Sequence, residues 1–305
     1  MIRLLAIISF CFMTIPALAA EHYSDHDKFC GELSDAHCLA NINKALMEAE
    51  PLGIEWLKLK SYQLDYFYDK QMFEQLALEI EPLVERKDLP VVFTSQLNFY
   101  FAKALNAQGD KQRAMHYANE TMQQLEGMYD AFGDPLRVIE LANMQYVFGD
   151  KKRAYQILLM AENRFGKSKD ANFWYELNEQ FANVFFAWDN IEKAIHHRTL
   201  ALPYAREMGT PNKLSIALGN LARTLQLHGE HALARDYYLE AVEYLHSPSD
   251  GVILAAYQMR LLQAYFELQQ YTQAKELLEQ INMEKLSNPR KKELEPILSV
   301  LGSQI

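Results

Sequence analysis

Large and small apolar residues recur along the chain at a spacing of forty residues. In four of the five copies a large residue precedes a small one; in every copy a turn-forming residue follows the large one by eight positions, and an alanine lies five positions further on. The large residues are Phe101, Leu141, Phe181, Leu221 and Leu261, and the residues after them are Ala102, Ala142, Ala182, Ala222 and Leu262. The turn positions are Gly109, Gly149, Asp189, Gly229 and Gln269, and the later alanines are Ala114, Ala154, Ala194, Ala234 and Ala274. Copies in register predict a repeated helical hairpin.

The two helices of such a hairpin must approach closely. A large residue fills the space between them, and a small neighbour lets the backbones come near. Glycine or aspartate at the turn permits the left-handed conformation that ends the first helix. Because one hairpin cannot bury its own apolar face, neighbouring hairpins stack. We therefore predict an all-α, right-handed superhelical solenoid of antiparallel helix hairpins, elongated and with few contacts between distant repeats.

The repeat weakens at both ends. Upstream, Ser61, Tyr62, Asp69 and Glu74 fall in the same register but the alanines are missing, which is typical of a terminal repeat. Downstream, Leu301 takes the place of Leu261 with no second helix after it. The predicted organisation is a signal peptide over residues 1–20, an N-terminal segment with a capping helix over 21–54, about six hairpins over 55–285, and a C-terminal capping helix over 286–305.

Residues 220–241, NLARTLQLHGEHALARDYYLEA, resemble the tetratricopeptide repeat. The positions that carry the resemblance are Leu221, Ala222, Gly229, Ala234, Tyr238 and Ala241. It extends over roughly residues 55–285 and implies the fold more strongly than the function. The family period is about 34 residues, so a period of forty implies helices longer by about a turn. This is similar to the long-repeat subclass of kinesin light chains and bacterial peptide-sensing regulators, although the DNA-binding domain of those regulators has no counterpart here.

The first twenty residues have the pattern of a bacterial secretory signal peptide. Arg3 precedes an apolar core, and Ala17-Leu18-Ala19 offers a cleavage site, so cleavage near Ala19 or Ala20 is expected. Removal leaves 29 basic and 40 acidic residues, a net charge of −11. We expect an exported member of the family, in the periplasm or otherwise secreted. Such a charge makes nucleic acid an improbable partner and limits any membrane association to an indirect one through a partner.

Two cysteines remain in the processed chain, Cys30 and Cys38. In an oxidising compartment a disulfide is favoured. On one continuous helix their α-carbons would lie about 12 Å apart, too far to bridge, so the segment between them must turn. His22, His26 and His37 lie close in sequence to these thiols, which leaves open a metal site in place of the disulfide.

Sequence signatures of catalysis are missing. The sequence contains no Gly-rich phosphate loop, no GxSxG and no HExxH. His196 and His197 are adjacent, so on a helix they face about 100° apart and cannot chelate together. A non-enzymatic protein without a cofactor is expected.

The resemblance implies a concave wall lined by first-helix residues two and five positions after the large residue. The first set contains only hydrogen-bonding side chains: Gln63, Lys103, Asn143, Asn183, Arg223 and Gln263. The second set mixes rings and amides: Tyr66, Asn106, Tyr146, Phe186, Gln226 and Phe266. Amides can bond a peptide backbone while rings hold apolar groups. An ordinary solvated face is also polar, but it favours Lys or Glu where four rings stand here.

These patterns predict a periplasmic scaffold that binds a protein or peptide in its concave groove, as a signalling sensor or an assembly factor. The partner is expected to be an extended tail, and Lys103 and Arg223 would favour acidic side chains or a free carboxylate on it. The alternative function is a metal or cofactor carrier that uses the His/Cys-containing N-terminal segment.

Overall fold

The structure is a computed structural model, and it describes residues 29–30, 35–129, 134–246 and 248–303. Helices make up nearly all of the described chain. They are α1 (Asp35–Glu48), α2 (Ile54–Asp69), α3 (Phe73–Val84), α4 (Val91–Gln108), α5 (Lys111–Tyr129), α6 (Pro135–Phe148), α7 (Lys151–Phe165), α8 (Ala171–Ala187), α9 (Ile191–Met208), α10 (Pro211–Leu227), α11 (His231–Val242), α12 (Gly251–Glu267), α13 (Tyr271–Leu278) and α14 (Asn288–Ser303). The predicted all-α repeat fold is confirmed.

Helices α2 to α13 form six successive hairpins, and the helices of each hairpin pack against each other. Ala102, Ala182 and Ala222 are fully buried at the close approach between helices, as are the alanines at 114, 154, 194, 234 and 274. Capping side chains mark the first residues of several hairpin helices. Asp134, Asp150 and Asp170 precede α6, α7 and α8, and their carboxylates accept hydrogen bonds from backbone amides of the first turn.

At most turn positions the residue adopts the left-handed conformation that the sequence predicts. Gly109 and Gly229 have φ of 89° and 90°, and Asp189 and Gln269 have φ of 58° and 59°. In these hairpins the amide that follows the turn residue donates to the carbonyl five residues earlier, as Asp110 does to Leu105. Gly149 is the exception, with φ of −120°.

The first hairpin is offset by two residues from the forty-residue register. Gln71, not Asp69, has the positive φ, 55°, and the Met72 amide donates to the Phe67 carbonyl in the same way as Asp110 to Leu105. The structural equivalents of Lys103 and Asn106 are therefore Asp65 and Tyr68. The predicted equivalents, Gln63 and Tyr66, are buried and do not belong to this register position.

The ends of the array are covered. Cys30 and Cys38 form a disulfide with α-carbons 5.2 Å apart, and both residues belong to the buried cluster around the first hairpins. At the other end, Leu294, Ile297 and Leu301 of α14 pack in the cluster formed with α12 and α13. The predicted signal peptide, His22 and His26 lie outside the described residues.

The array curves until its first hairpin contacts the start of its sixth. Lys70, at the end of α2, donates from Nζ to Oδ1 of Asp250 at 2.7 Å, across 180 positions of sequence. The two side chains are only 4% and 3% exposed. Helix α1 also contacts the 3-10 turn Pro248–Asp250. The expectation of few contacts between distant repeats is wrong at this point, because hydrophobic periodicity describes each hairpin but not the curvature of the stack.

Candidate functional site

The first helices of the hairpins form one continuous surface, which we call the inner face. Side chains from α2, α4, α6, α8 and α10 enclose a cavity of about 180 Å³ on this face. Helices separated by up to about 150 residues meet around one cavity because the array curves, so the inner face is the concave side. No helix of the described chain is both long and apolar enough to cross a membrane.

Acidic side chains predominate in the wall of the cavity. Asp65, Asp69, Glu140 and Glu176 line it, together with the single base Lys213. Glu140 accepts a hydrogen bond from Arg137 at 2.6 Å, and the Lys213 ammonium lies 3.8 Å from Glu176. Burial raises the pKa of Glu176, since desolvation disfavours the ionised carboxylate. Glu140 and Glu176 thus each have a basic side chain at close range.

Asp65 is the most deeply buried of these carboxylates, at 2% exposure. Its Oδ1 accepts hydrogen bonds from the Tyr100 hydroxyl and, at 3.2 Å, from Gln96 Nε2. Its Oδ2 has no hydrogen-bond partner within the described part of the chain. Burial raises the pKa of Asp65 well above its usual range, and the nearby carboxylates of Asp69 and Glu140 raise it further.

Three aromatic rings form another part of the cavity wall. The Tyr68 ring lies 4.8 Å from that of Tyr100 and 6.4 Å from that of Phe99, between centroids. The Lys103 ammonium lies over Phe99 at 4.9 Å and over Tyr68 at 5.9 Å. Burial lowers the pKa of Lys103 to about 8, against the opposing effect of Glu176 and Glu140. These rings therefore already face a cation from within the protein.

Five members of the predicted first set of groove residues lie half-buried on first helices, whereas Gln63 is buried: Lys103, Asn143, Asn183, Arg223 and Gln263. Those of the middle hairpins are hydrogen-bonded to neighbouring side chains. Lys103 donates to Asn143, and Asn143 donates to Gln180 at 2.7 Å. Gln180 also accepts from Asn183 at 3.4 Å, and the Asn183 oxygen accepts from Arg198 at 3.2 Å. Lys103 and Asn143 are thus hydrogen-bonded to each other, Asn143 and Asn183 share Gln180 as a partner, and only Asn143 of the predicted set lines the cavity.

The predicted second set divides into two groups. Asn106 is exposed, and Tyr146, Phe186 and Phe266 are half-buried, so they are accessible on the array. Gln226 is 8% exposed and donates to the Arg260 carbonyl at 3.1 Å. Its side-chain oxygen accepts from Arg223 at 3.1 Å, so this amide connects α10 to α12. The Gln226 side chain is therefore hydrogen-bonded within the protein at both its amide nitrogen and its oxygen.

The C-terminal part of the inner face is basic. Arg223 and Arg290 have lowered pKa values because they are partly buried and because each lies near Arg260. Arg260 donates to Gln263 at 3.0 Å and to Glu293 at 2.6 Å. The inner face therefore has an acidic cavity, whose carboxylates come from α2, α6 and α8, and an arginine cluster on later helices, Arg223 of α10, Arg260 of α12 and Arg290 of α14.

Asp65 and Tyr68 are absent from the predicted groove residues because the forty-residue register misplaces the first hairpin by two residues. A signal for the true register is present: Leu64 and Leu76 are twelve residues apart, as are Ala102 and Ala114, and all four are buried. Among the described residues, no group of three or more His, Cys, Asp or Glu side chains is arranged to hold a metal ion.

No protein-family model matches the sequence, and no curated protein matches it significantly. Solved structures with a similar fold include a Rap protein complexed with competence and sporulation factor, with 16% identity, a TM-score of 0.56, and coverage of 80% of this chain and 69% of that one. A signal-transduction ATPase with a tetratricopeptide-repeat sensor from Pyrococcus horikoshii has 17% identity and a TM-score of 0.52, and the match covers 83% of this chain and 41% of that one. Aspartyl phosphate phosphatase F from Bacillus subtilis has 13% identity and a TM-score of 0.50, and the match covers 88% of this chain and 79% of that one. The chain has the tetratricopeptide-repeat fold.

Proposed function

We propose that this protein is a non-enzymatic scaffold that binds an extended protein or peptide segment along its inner face. The observation that carries the proposal is the continuous concave surface formed by successive first helices, with a cavity among them. Repeat arrays offer such large contact surfaces without a catalytic constellation. The Rap structure complexed with competence and sporulation factor supports a binding role for this fold.

The two regions of the inner face would receive different parts of the ligand. Tyr146 and Phe186 would hold apolar side chains, and the half-buried amides Asn143 and Asn183 would bond the backbone once the ligand displaces their internal partners. The arginine cluster would hold an acidic side chain or the terminal carboxylate of a tail. Whether the complex serves signalling or assembly depends on the partner.

The signal-peptide pattern supports a location in the periplasm or outside the cell. A net charge of −11 for the processed chain disfavours nucleic acid and anionic membrane as direct partners. The alternative metal-carrier function needs free thiols at Cys30 and Cys38, which are joined to each other in this structure. We therefore favour the scaffold.

Site-specific photo-crosslinking tests the scaffold proposal. A photoreactive phenylalanine analogue is placed at Phe186 on the inner face and, as the matched control, at Leu200, which is 44% exposed on the second helix α9. Each protein is exported in the native host, irradiated and analysed by mass spectrometry. We expect peptide adducts at Phe186 and few at Leu200. Equal yields at the two positions, or no adduct at Phe186, would contradict the proposal.

A further inference from the structure

Asp65 occupies an energetically unfavourable position. Its carboxylate is nearly fully buried, one oxygen has no hydrogen-bond partner within the described chain, and its charged neighbours Asp69 and Glu140 repel it. A buried polar atom without a partner costs free energy, and a buried charge costs more. The volume of the adjacent cavity is much larger than one water molecule requires. Packing alone does not explain a carboxylate oxygen without a partner beside such a cavity.

The surroundings of Asp65 match the requirements of a cation. Carboxylates line the cavity from α2, α6 and α8, and basic side chains lie near Glu140 and Glu176. The ring of Tyr68 and its neighbours supplies aromatic faces on which a cation is stable, as Lys103 already shows from the adjacent position. A cationic group in the cavity would give the free oxygen of Asp65 a charged donor.

We propose that this cavity binds one positively charged side chain, of lysine or arginine, from the peptide held on the inner face. The inference rests on the proposed scaffold function and adds two features to it: the class of residue that the ligand must carry, and its direction. The basic residue enters the cavity, whose carboxylates come from α2, α6 and α8, and the acidic or carboxylate end lies toward the arginine cluster at Arg223, Arg260 and Arg290. Lys103 is then part of the cavity surroundings and does not recruit an acidic ligand.

Binding of a cation here is linked to the protonation of Asp65. A nearby positive charge stabilises the ionised carboxylate, so binding lowers its raised pKa and releases a proton. Affinity should therefore increase with pH until Asp65 is ionised in the free protein. The charged and titratable groups that surround it are Tyr68 and Asp69 on α2, Tyr100 and Lys103 on α4, Arg137 and Glu140 on α6, Glu176 on α8 and Lys213 on α10.

Small probes test the cavity without knowledge of the natural ligand. Nα-acetyl-L-arginine amide and its neutral isostere Nα-acetyl-L-citrulline amide are titrated into the full-length protein, and binding is followed by NMR for wild type, Asp65→Asn and Glu120→Gln. Loss of one charged hydrogen bond costs about 1.5–3 kcal/mol, so Asp65→Asn should weaken arginine-probe binding at least about tenfold. Glu120→Gln removes an exposed carboxylate beside a different cavity and should leave binding unchanged.

Asp65→Asn keeps the Oδ1 acceptor for Tyr100 and Gln96, so the variant should fold. Because the folded-state pKa of Asp65 is raised, wild-type stability falls as pH rises from about 4 through that pKa. The variant lacks this loss and should be at least as stable at pH 7. If it does not fold, titration of the Asp65 carboxyl carbon in the wild type gives the same answer: its pKa must fall when the arginine probe is present.

Equal binding of arginine and citrulline probes, retained preference in Asp65→Asn, or an Asp65 pKa unaffected by the probe would each overturn the proposal. The crosslinking experiment separates this failure from failure of the scaffold. Adducts at Phe186 without a preference for arginine overturn the cavity proposal alone. A preference that depends on Asp65, without adducts at Phe186, supports the cavity and overturns only the extended-peptide scaffold.

Discussion

Gly219 is a single residue on which the packing of two neighbouring hairpins depends. It lies on α10, and a β-carbon at this position would be 2.1 Å from Cζ and 2.3 Å from the hydroxyl oxygen of Tyr257 on α12. Such a distance cannot be tolerated, so the ring would have to move. We expect Gly219→Ala to lower the free energy of unfolding by about 1–3 kcal/mol, the usual cost of overpacking, as measured by urea denaturation.

Gly127 gives the matched control for this substitution. It lies in α5, is exposed, and has no atom within 4 Å of an added β-carbon. Alanine at a helical glycine without steric conflict restricts the unfolded chain, so Gly127→Ala should stabilise by about 0.4–1 kcal/mol. Opposite signs for the two substitutions are expected; a neutral Gly219→Ala would mean that α10 and α12 are further apart than described.

At the scale of a helix pair, the alanine after each large residue sets the distance between the two helices. Ala222 on α10 is fully buried. Leucine there must force the helices apart, so Ala222→Leu should destabilise by about 1–3 kcal/mol in the same assay. Ala232 on α11 is exposed, and Ala232→Leu should stay within about 0.5 kcal/mol of wild type. Similar losses at both positions would show that the helices do not approach closely at Ala222.

Individual hairpins were predictable from the sequence because their determinants are local. Large and small residues at fixed distances from a turn establish each helix pair, and four of the five predicted turn residues have positive φ. The first hairpin was misplaced by two residues because the alanines that mark the register are missing there and because its turn residue, Gln71, lies 38 residues before Gly109 instead of forty. That error concealed Asp65 and Tyr68, whose side chains the structure places in the cavity wall.

At the scale of the whole molecule, the cavity depends on a property that no local pattern contains. Asp65 and Lys213 line the same cavity although 148 positions separate them in the sequence. They meet because small rotations between consecutive hairpins accumulate into a tight curve. The polar residues of the first set lie on first helices, but their hydrogen-bond partners, such as Gln180 for Asn143, depend on how neighbouring hairpins pack and are not contained in the periodicity.

The buried ion pair between Lys70 and Asp250 offers a test of the curvature of the array. Removing one partner of a buried ion pair typically costs about 3–5 kcal/mol, so Lys70→Met should destabilise by about that amount. Asp250→Asn should also destabilise, and the double variant should lose less than the sum of the two single losses, as chemical denaturation can measure. Additive losses would indicate that the two side chains do not interact in solution.

The contact between Lys70 and Asp250 also bears on how the protein loses its structure. In an open array of repeats the terminal units contact one neighbour only and fray first, so amide protons there exchange fastest. Here the first hairpin is held on two sides, by the second hairpin and by the turn before the sixth, so it cannot detach without breaking a buried charged contact. Amide-proton exchange in α2 should therefore be as slow as in the middle of the chain, and the hairpins should unfold together in one cooperative transition.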